Sequence, residues 1–153
     1  MIRPSLEYAN TIWNSQFKRQ RVEIEKVQRR ATKILKNLKN LTYSQRLSEL
    51  NLPSLKFRRI RGDLIQAFKI INGTDNIDKD LFFTFKTECR TKNSEKKFFK
   101  HFKKSRIRSS FFSERVVNYW NSLSNAARSA NDLLTFKKQI DIELSNIAYD
   151  YDD

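Results

Sequence analysis

A chain of 153 residues with only two glycines and two prolines has few places to turn sharply. Turns lean on glycine for positive φ and on proline for a preset φ, so their scarcity argues against a turn-rich β architecture and leaves helices to carry the fold. The length suits one domain, able to bury about two-thirds of its unfolded surface. Apolar residues make up 39% and aromatics 12%, enough for a real core and against wholesale disorder.

Helical periodicity is the signal to follow. Leu6, Ala9, Ile12 and Trp13 predict a short helix over 6–13. A longer helix is expected over about 18–38, where Ile24, Val27, Ala31, Ile34, Leu35 and Leu38 fall within about 100° of each other. That stripe is expected to face the core, with Lys18, Lys26, Arg29, Lys33 and Lys36 gathered on the opposite side. Thr42-Tyr43-Ser44-Gln45 matches a capping box and starts a short helix carrying Leu47 and Leu50, stopped at Pro53. Ser54 is placed to cap a helix over 55–71 with Phe57, Ile60, Leu64, Phe68 and Ile71 inward, and Asn72-Gly73 supplies its stop.

Residues 74–110 lack a sustained helical period. Phe83/Phe85 and Phe98/Phe99/Phe102 suggest short extended pieces, so this region reads as an irregular basic arm or small β-hairpin at about 80–108. Helical order returns with Phe112, Val116, Tyr119, Trp120 and Leu123 on one face. Asn131 is expected to cap a last helix with Leu133, Phe136, Ile140, Leu144 and Ile147 inward, before a frayed acidic end, Tyr-Asp-Tyr-Asp-Asp. The expected fold is mainly α: a small helical domain of about five to six helices with that arm. The expected organisation is a basic helical region 1–73, the arm 74–110, a helical pair 111–148 and an acidic tail 149–153, forming one structural unit. Both Trp13 and Trp120 read as core residues.

Charge narrows the function. The chain carries 31 Lys and Arg against 17 Asp and Glu, a net charge of +14 with a pI near 10.1. The surplus is blocked: residues 16–61 hold fourteen basic residues and three acids, and residues 84–115 hold eleven and three. A patterned surplus of this size favours a polyanionic partner.

Catalytic chemistry is poorly represented. Cys89 is the only cysteine, which rules out a disulfide framework or a cysteine zinc site within the chain and makes a reducing, intracellular setting, nuclear or cytoplasmic, the default expectation. His101 is the only histidine and has no carboxylate or thiol at ligand spacing. Gly62 and Gly73 stand alone, so no phosphate loop is present. Asp150, Asp152 and Asp153 lack the rigid setting and further carboxylates of a two-metal site. No enzyme activity, metal or cofactor is expected. No window is apolar enough for a signal core or a membrane span, so no membrane partner is expected. Arg61 and Asp63, near an apolar stripe, read as a structural ion-pair or capping arrangement.

Several stretches carry a family resemblance. "PSLEYANTIWN", "IEKVQRRATKIL", "LTYSQRLSELNLPSLKFRRIRGDLIQAFKIING" and "SFFSERVVNYWNSL" together resemble the C-terminal region of jockey-like non-LTR (LINE-type) retrotransposon reverse transcriptases. The resemblance covers roughly residues 3–145, with "EKVQRRA", "RRIRGDLI" and "RVVNYWNSL" as its specific parts. It implies the post-palm thumb and tail of an RNA-directed DNA polymerase, truncated or encoded alone. The palm's Phe/Tyr-Ala-Asp-Asp motif is absent from this sequence. Residues 6–38 would match later thumb helices, whose basic face follows the template–product duplex.

Residue chemistry and resemblance meet on the helix 18–38. The partner they imply is RNA or an RNA–DNA duplex, contacted through phosphates by Arg29, Arg30, Lys33 and Lys36, then Lys18, Arg19 and Lys26. On the arm, Phe98, Phe99 and Phe102 lie among Lys96, Lys97, Lys100, Lys103 and Lys104 and would either stack on bases or anchor the loop to the core. The rival expectation is an interaction fragment that packs on an upstream polymerase palm.

Overall fold

The structure, a computed structural model, describes residues 9–14, 17–86 and 96–151. The fold is mainly α. In chain order the helices are α1 (Asn10–Trp13), α2 (Lys18–Lys33), α3 (Tyr43–Glu49), α4 (Leu55–Ile71), α5 (Arg106–Ser109), α6 (Phe112–Ser122), α7 (Asn125–Arg128) and α8 (Leu133–Glu143), with 3-10 turns at Lys36–Leu38, Lys79–Leu81 and Ser145–Ile147. Among the described residues, β structure is limited to one antiparallel bridge between Phe85 and Phe98. Leu6, the side chain of Trp13, Cys89, arm residues 87–95 and Asp152–Asp153 lie outside the described residues. The chain divides into two compact units, one of Met1–Arg59 with Leu144–Asp153, the other of Ile60–Glu143.

In the first unit, local sequence signals set the helix ends. The Thr42 hydroxyl accepts from the Gln45 N–H and the Gln45 side chain accepts from the Thr42 N–H at 2.9 Å, completing the capping box that opens α3. Ser54 Oγ accepts from the Phe57 N–H at 3.2 Å and so caps α4. The Ser54 N–H donates to the Ala148 carbonyl at 2.9 Å, which fastens the C-terminal segment to this corner. That segment is held further along as well: the Tyr151 ring packs edge-on against Tyr43 with centroids 4.9 Å apart, where the acidic tail suggested fraying.

α2 departs from the periodicity reading. Its buried side chains are Glu25, Gln28 and Thr32, whereas Val27, Ala31, Ile34 and Leu35 are exposed, Ile34 at 76%. The helix also stops at Lys33 and does not run on to Leu38. The reason lies in the partners. Glu25 Oε1 accepts from the Tyr43 hydroxyl at 2.7 Å and from the Leu55 N–H at 3.3 Å, at the start of α4, where unpaired donors and the helix dipole favour a carboxylate. Gln28 Nε2 donates to the Pro53 carbonyl at 3.2 Å, and Thr32 Oγ1 accepts from Arg46 Nε at 3.3 Å. Hydrogen bonds to Tyr43, Leu55, Pro53 and Arg46 offset the cost of burying this polar stripe.

In the second unit the core is aromatic. Phe83, Phe98, Trp120, Phe136 and Phe68 form a continuous row, with successive centroid separations of 4.3, 5.1, 5.8 and 4.3 Å. The row joins the arm, α6, α8 and α4, and offset ring packing of this kind adds to the area each ring buries. α4 ends as predicted: Gly73 takes φ +68°, its N–H donates to the Ile70 carbonyl at 3.2 Å, and the Thr74 N–H donates to Lys69 at 2.9 Å, the paired bonds of a Schellman stop.

Two local expectations are corrected here and a third is given its partners. α8 is capped by Asp132, not Asn131, since Asp132 Oδ1 accepts from the Thr135 N–H at 2.8 Å. On α6 it is Val117 that is buried with Val116, Trp120 and Leu123, while Tyr119 faces out. Arg61 and Asp63 are ion-paired, but with separate partners: Arg61 grips Asp141 at 2.5 and 2.9 Å, and Asp63 receives both arms of Arg115 at 2.8 Å.

Candidate nucleic-acid interface

The eleven sequence candidates separate into surface cations and structural ones. Lys18, Arg19, Arg30 and Lys33 on α2 and Lys36 just beyond it are exposed. Lys26 is partly exposed and bonded to Glu23 at 2.7 Å, and this bond holds the Glu23 carboxyl below the usual carboxylate range. Arg29 belongs inside: its guanidinium lies 5.1 Å from the centre of the Tyr43 ring and 5.0 Å from that of Tyr151, a sandwich of two cation–π contacts. It is half-buried there, less open to solvent than the helical wheel placed it. The exposed cations left on α2 are Lys18, Arg19, Arg30 and Lys33, the last three sharing one flank at helical spacing.

The Tyr43 hydroxyl that supports this arrangement is pushed well above the ordinary tyrosine range, chiefly by burial and then by its hydrogen bond to Glu25. Glu25 Oε2, also buried, has no hydrogen-bond partner.

Residues 96–103 of the arm are tied to α6 by specific side-chain contacts. Trp120 Nε1 donates to the Lys96 carbonyl at 2.8 Å, and Lys96 itself takes a left-handed φ of 57°. Asn121 grips Phe98 from both sides, accepting from its N–H and donating to its carbonyl, each at 2.9 Å. Lys100 Nζ donates to Asn118 Oδ1 at 2.9 Å, and Lys103 Nζ lies 3.4 Å from Glu114 Oε1. Asn121, Asn118 and Glu114 share one face of α6. From Phe98 to Lys103 the partners step back along the helix, from Asn121 to Asn118 to Glu114, so this stretch runs antiparallel to α6. On its other side the Phe99 N–H donates to the Thr84 carbonyl at 2.7 Å and the Lys86 N–H to Lys97 at 3.0 Å.

This anchoring sorts the three phenylalanines left open between stacking and core. Phe98 is fully buried in the aromatic row, whereas Phe99 and Phe102 are 49% and 89% exposed. Among the arm lysines, Lys100 and Lys104 are exposed and Lys97 and Lys103 half-buried. His101 lies edge-on to Phe99 at 5.0 Å and within 3.1 Å of the Thr84 hydroxyl, a polar surface setting. Arg106 and Arg108, not among the sequence candidates, are exposed on α5 and extend the same run. The signal that pointed to them is the unbroken series of seven cations without an acid over residues 96–108. Among the described residues, no group of three or more His, Cys, Asp or Glu could hold a metal ion, and no helix is long and apolar enough to cross a membrane.

Compared with protein families, characterised proteins and solved structures, the chain gives no significant match.

Proposed function

We propose that this protein is a non-catalytic nucleic-acid-binding module that contacts phosphates through two basic surfaces, the α2 flank with Arg19, Arg30 and Lys33 and the arm with Lys100, Lys104, Arg106 and Arg108. The observation that carries this reading is the arm. Residues 96–108 carry seven cations and no acid, their backbone is hydrogen-bonded to α6 side chains at Lys96 and Phe98, and most of the basic side chains face water. A surface of that kind neutralises phosphates without reading bases. The sequence resemblance supplies the origin within this proposal, the C-terminal region of a non-LTR retrotransposon reverse transcriptase. An open frame upstream of the gene with a Phe/Tyr-Ala-Asp-Asp motif tests that origin.

Binding through phosphates has a thermodynamic signature. Log affinity should fall linearly with log salt, by about 0.7 per neutralised phosphate on single strands and about 0.9 on duplex DNA. Replacing Lys104 and Arg106 by Gln should weaken binding to all sequences alike and flatten the slope by roughly one and a half to two. An unchanged affinity and slope would exclude the arm as the binding surface. The matching α2 pair is Arg30 and Lys33, since Arg29 is committed to Tyr43 and Tyr151.

One observation favours a second reading. The exposed Val27, Ala31, Ile34 and Leu35 of α2 and its exit form an apolar stripe with no cover, as expected of an interaction fragment that packs on further polypeptide such as a polymerase palm. Association of the purified chain, abolished by Ile34→Lys, would support that reading over an independent binder.

A further inference from the structure

We infer that the arm is a site for an unpaired nucleic-acid strand, with Phe99 and Phe102 as stacking platforms for its bases; this rests on the nucleic-acid reading proposed above. Burial of apolar area drives side chains inward, yet of Phe98, Phe99 and Phe102 only the first is sealed in the core and the other two stand outside. Single exposed apolar residues need no explanation in themselves. These two differ in their setting. Both sit on a segment whose backbone is hydrogen-bonded to Trp120 and Asn121 at Lys96 and Phe98, and whose Lys103 side chain lies 3.4 Å from Glu114 at the other end.

At Phe99, whose N–H donates to the Thr84 carbonyl beside the Asn121 bonds, that anchoring limits the backbone freedom left to lose on binding, the usual gain of a preorganised contact. Phe99 is steadied further by the edge of His101. Three residues of backbone span at most about 10 Å, so the two rings are near enough to serve neighbouring bases. Lys100 and Lys104, exposed beside them, meet the phosphates between.

A duplex cannot use these rings, because its base faces are already stacked on one another. An unpaired strand presents a π face at every nucleotide, and stacking on an aromatic side chain tolerates any sequence. Cations alone would bind both forms; cations interleaved with exposed rings favour the single strand. An anionic lipid surface also attracts basic and aromatic groups. Here the rings stand singly between lysines on a backbone tied to α6, an arrangement suited to lateral stacking more than to insertion.

The test compares a short oligothymidine with a duplex of equal phosphate count, titrated by fluorescence anisotropy at two salt concentrations, against wild type, Phe102→Ala, Phe99→Ala and Phe102→Trp. Phe102 is exposed enough that its replacement should leave the urea midpoint unmoved. The expected result is a loss of about fivefold to a hundredfold on the single strand for each alanine variant, no change on the duplex, and retention by Phe102→Trp. Salt-dependent binding that is indifferent to both alanine variants, or reduced equally on both forms, overturns the single-strand assignment and leaves phosphate binding standing. Failure to bind either nucleic acid overturns both. Binding to phosphatidylserine vesicles that Phe102→Leu preserves, without oligonucleotide binding, would assign the rings to lipid and overturn the inference.

Discussion

Three buried or half-buried arginines do the same job at three helix starts. Arg46, Arg115 and Arg128 each occupy the fourth position of α3, α6 and α7, and each donates from NH1 to the carbonyl five residues earlier, those of Leu41, Ser110 and Leu123. Helical side chains lean toward the N-terminus, so a long guanidinium in that position reaches the carbonyl just outside the helix. Burial holds the Arg128 pKa below its ordinary value, with Glu143 acting in the opposite sense. Counted from composition these are surface charges; in the fold they are structural donors. The Glu25–Tyr43 pair is likewise structural, and it has a pH consequence. Below about pH 10 the Tyr43 hydroxyl is protonated in folded and unfolded chains alike. Above it the unfolded tyrosine ionises while the buried one keeps its proton, so the folded state binds more protons and stability falls as pH rises. Urea midpoints measured on either side of that pH should drop in wild type. In Tyr43→Phe the drop should be smaller, from a neutral-pH stability already lower by roughly 1–3 kcal/mol because Glu25 loses its donor. Equal alkaline slopes in the two proteins would show that Tyr43 ionises freely.

Between elements, what could be read from sequence depended on whether the buried face was apolar. α4 and α6 bury Leu64, Phe68, Val116 and Trp120, and apart from Tyr119 giving way to Val117 these positions were legible because one apolar face had no competitor. The capping box at Thr42 and the Asn72-Gly73 stop were legible because both are local chemistry. α2 was not, because the choice between its two stripes is made by Tyr43, Pro53 and the N-terminus of α4, none of which enters a helical wheel. The arm was half legible: its charge was plain, but the split between Phe98 and Phe99 depends on Asn121, twenty-three residues away from Phe98. Paired substitutions distinguish the two kinds of stripe. Ile34→Ala should change stability by no more than about 0.5 kcal/mol, as at other surface sites. Trp120→Ala, which removes a fully buried ring stacked on Phe98 and the donor to Lys96, should cost about 3–5 kcal/mol. Comparable costs at the two positions would return α2's apolar stripe to the core.

At the scale of the molecule, the structural arginines mark how much of the +14 charge is unavailable to a partner. Arg46, Arg59 and Arg128 are buried, Arg29 is held between two tyrosine rings, and Arg61 and Arg115 are engaged with Asp141 and Asp63. The exposed cations that remain lie largely on α2 and on the 96–108 arm, with few acids beside them. Like charges concentrated in this way raise the free energy of the compact state as they create the field that would draw in a polyanion. Screening acts unequally on the two populations. Exposed lysines repel over a distance that shrinks from about 10 Å at 0.1 M salt to about 3 Å at 1 M, while the Arg115–Asp63 pair, with little solvent around either partner, is screened far less. Added sodium chloride should therefore raise the thermal midpoint of the free protein, relieving repulsion without loosening the inner pairs. A bound polyanion should raise it further at low salt, by an amount set by ligand concentration over Kd, and that increment should vanish as salt displaces the ligand. A midpoint that instead falls steadily with sodium chloride would mean that favourable ion pairs outweigh the repulsion, and that the exposed cations are balanced by acids within the fold and not held open for a partner.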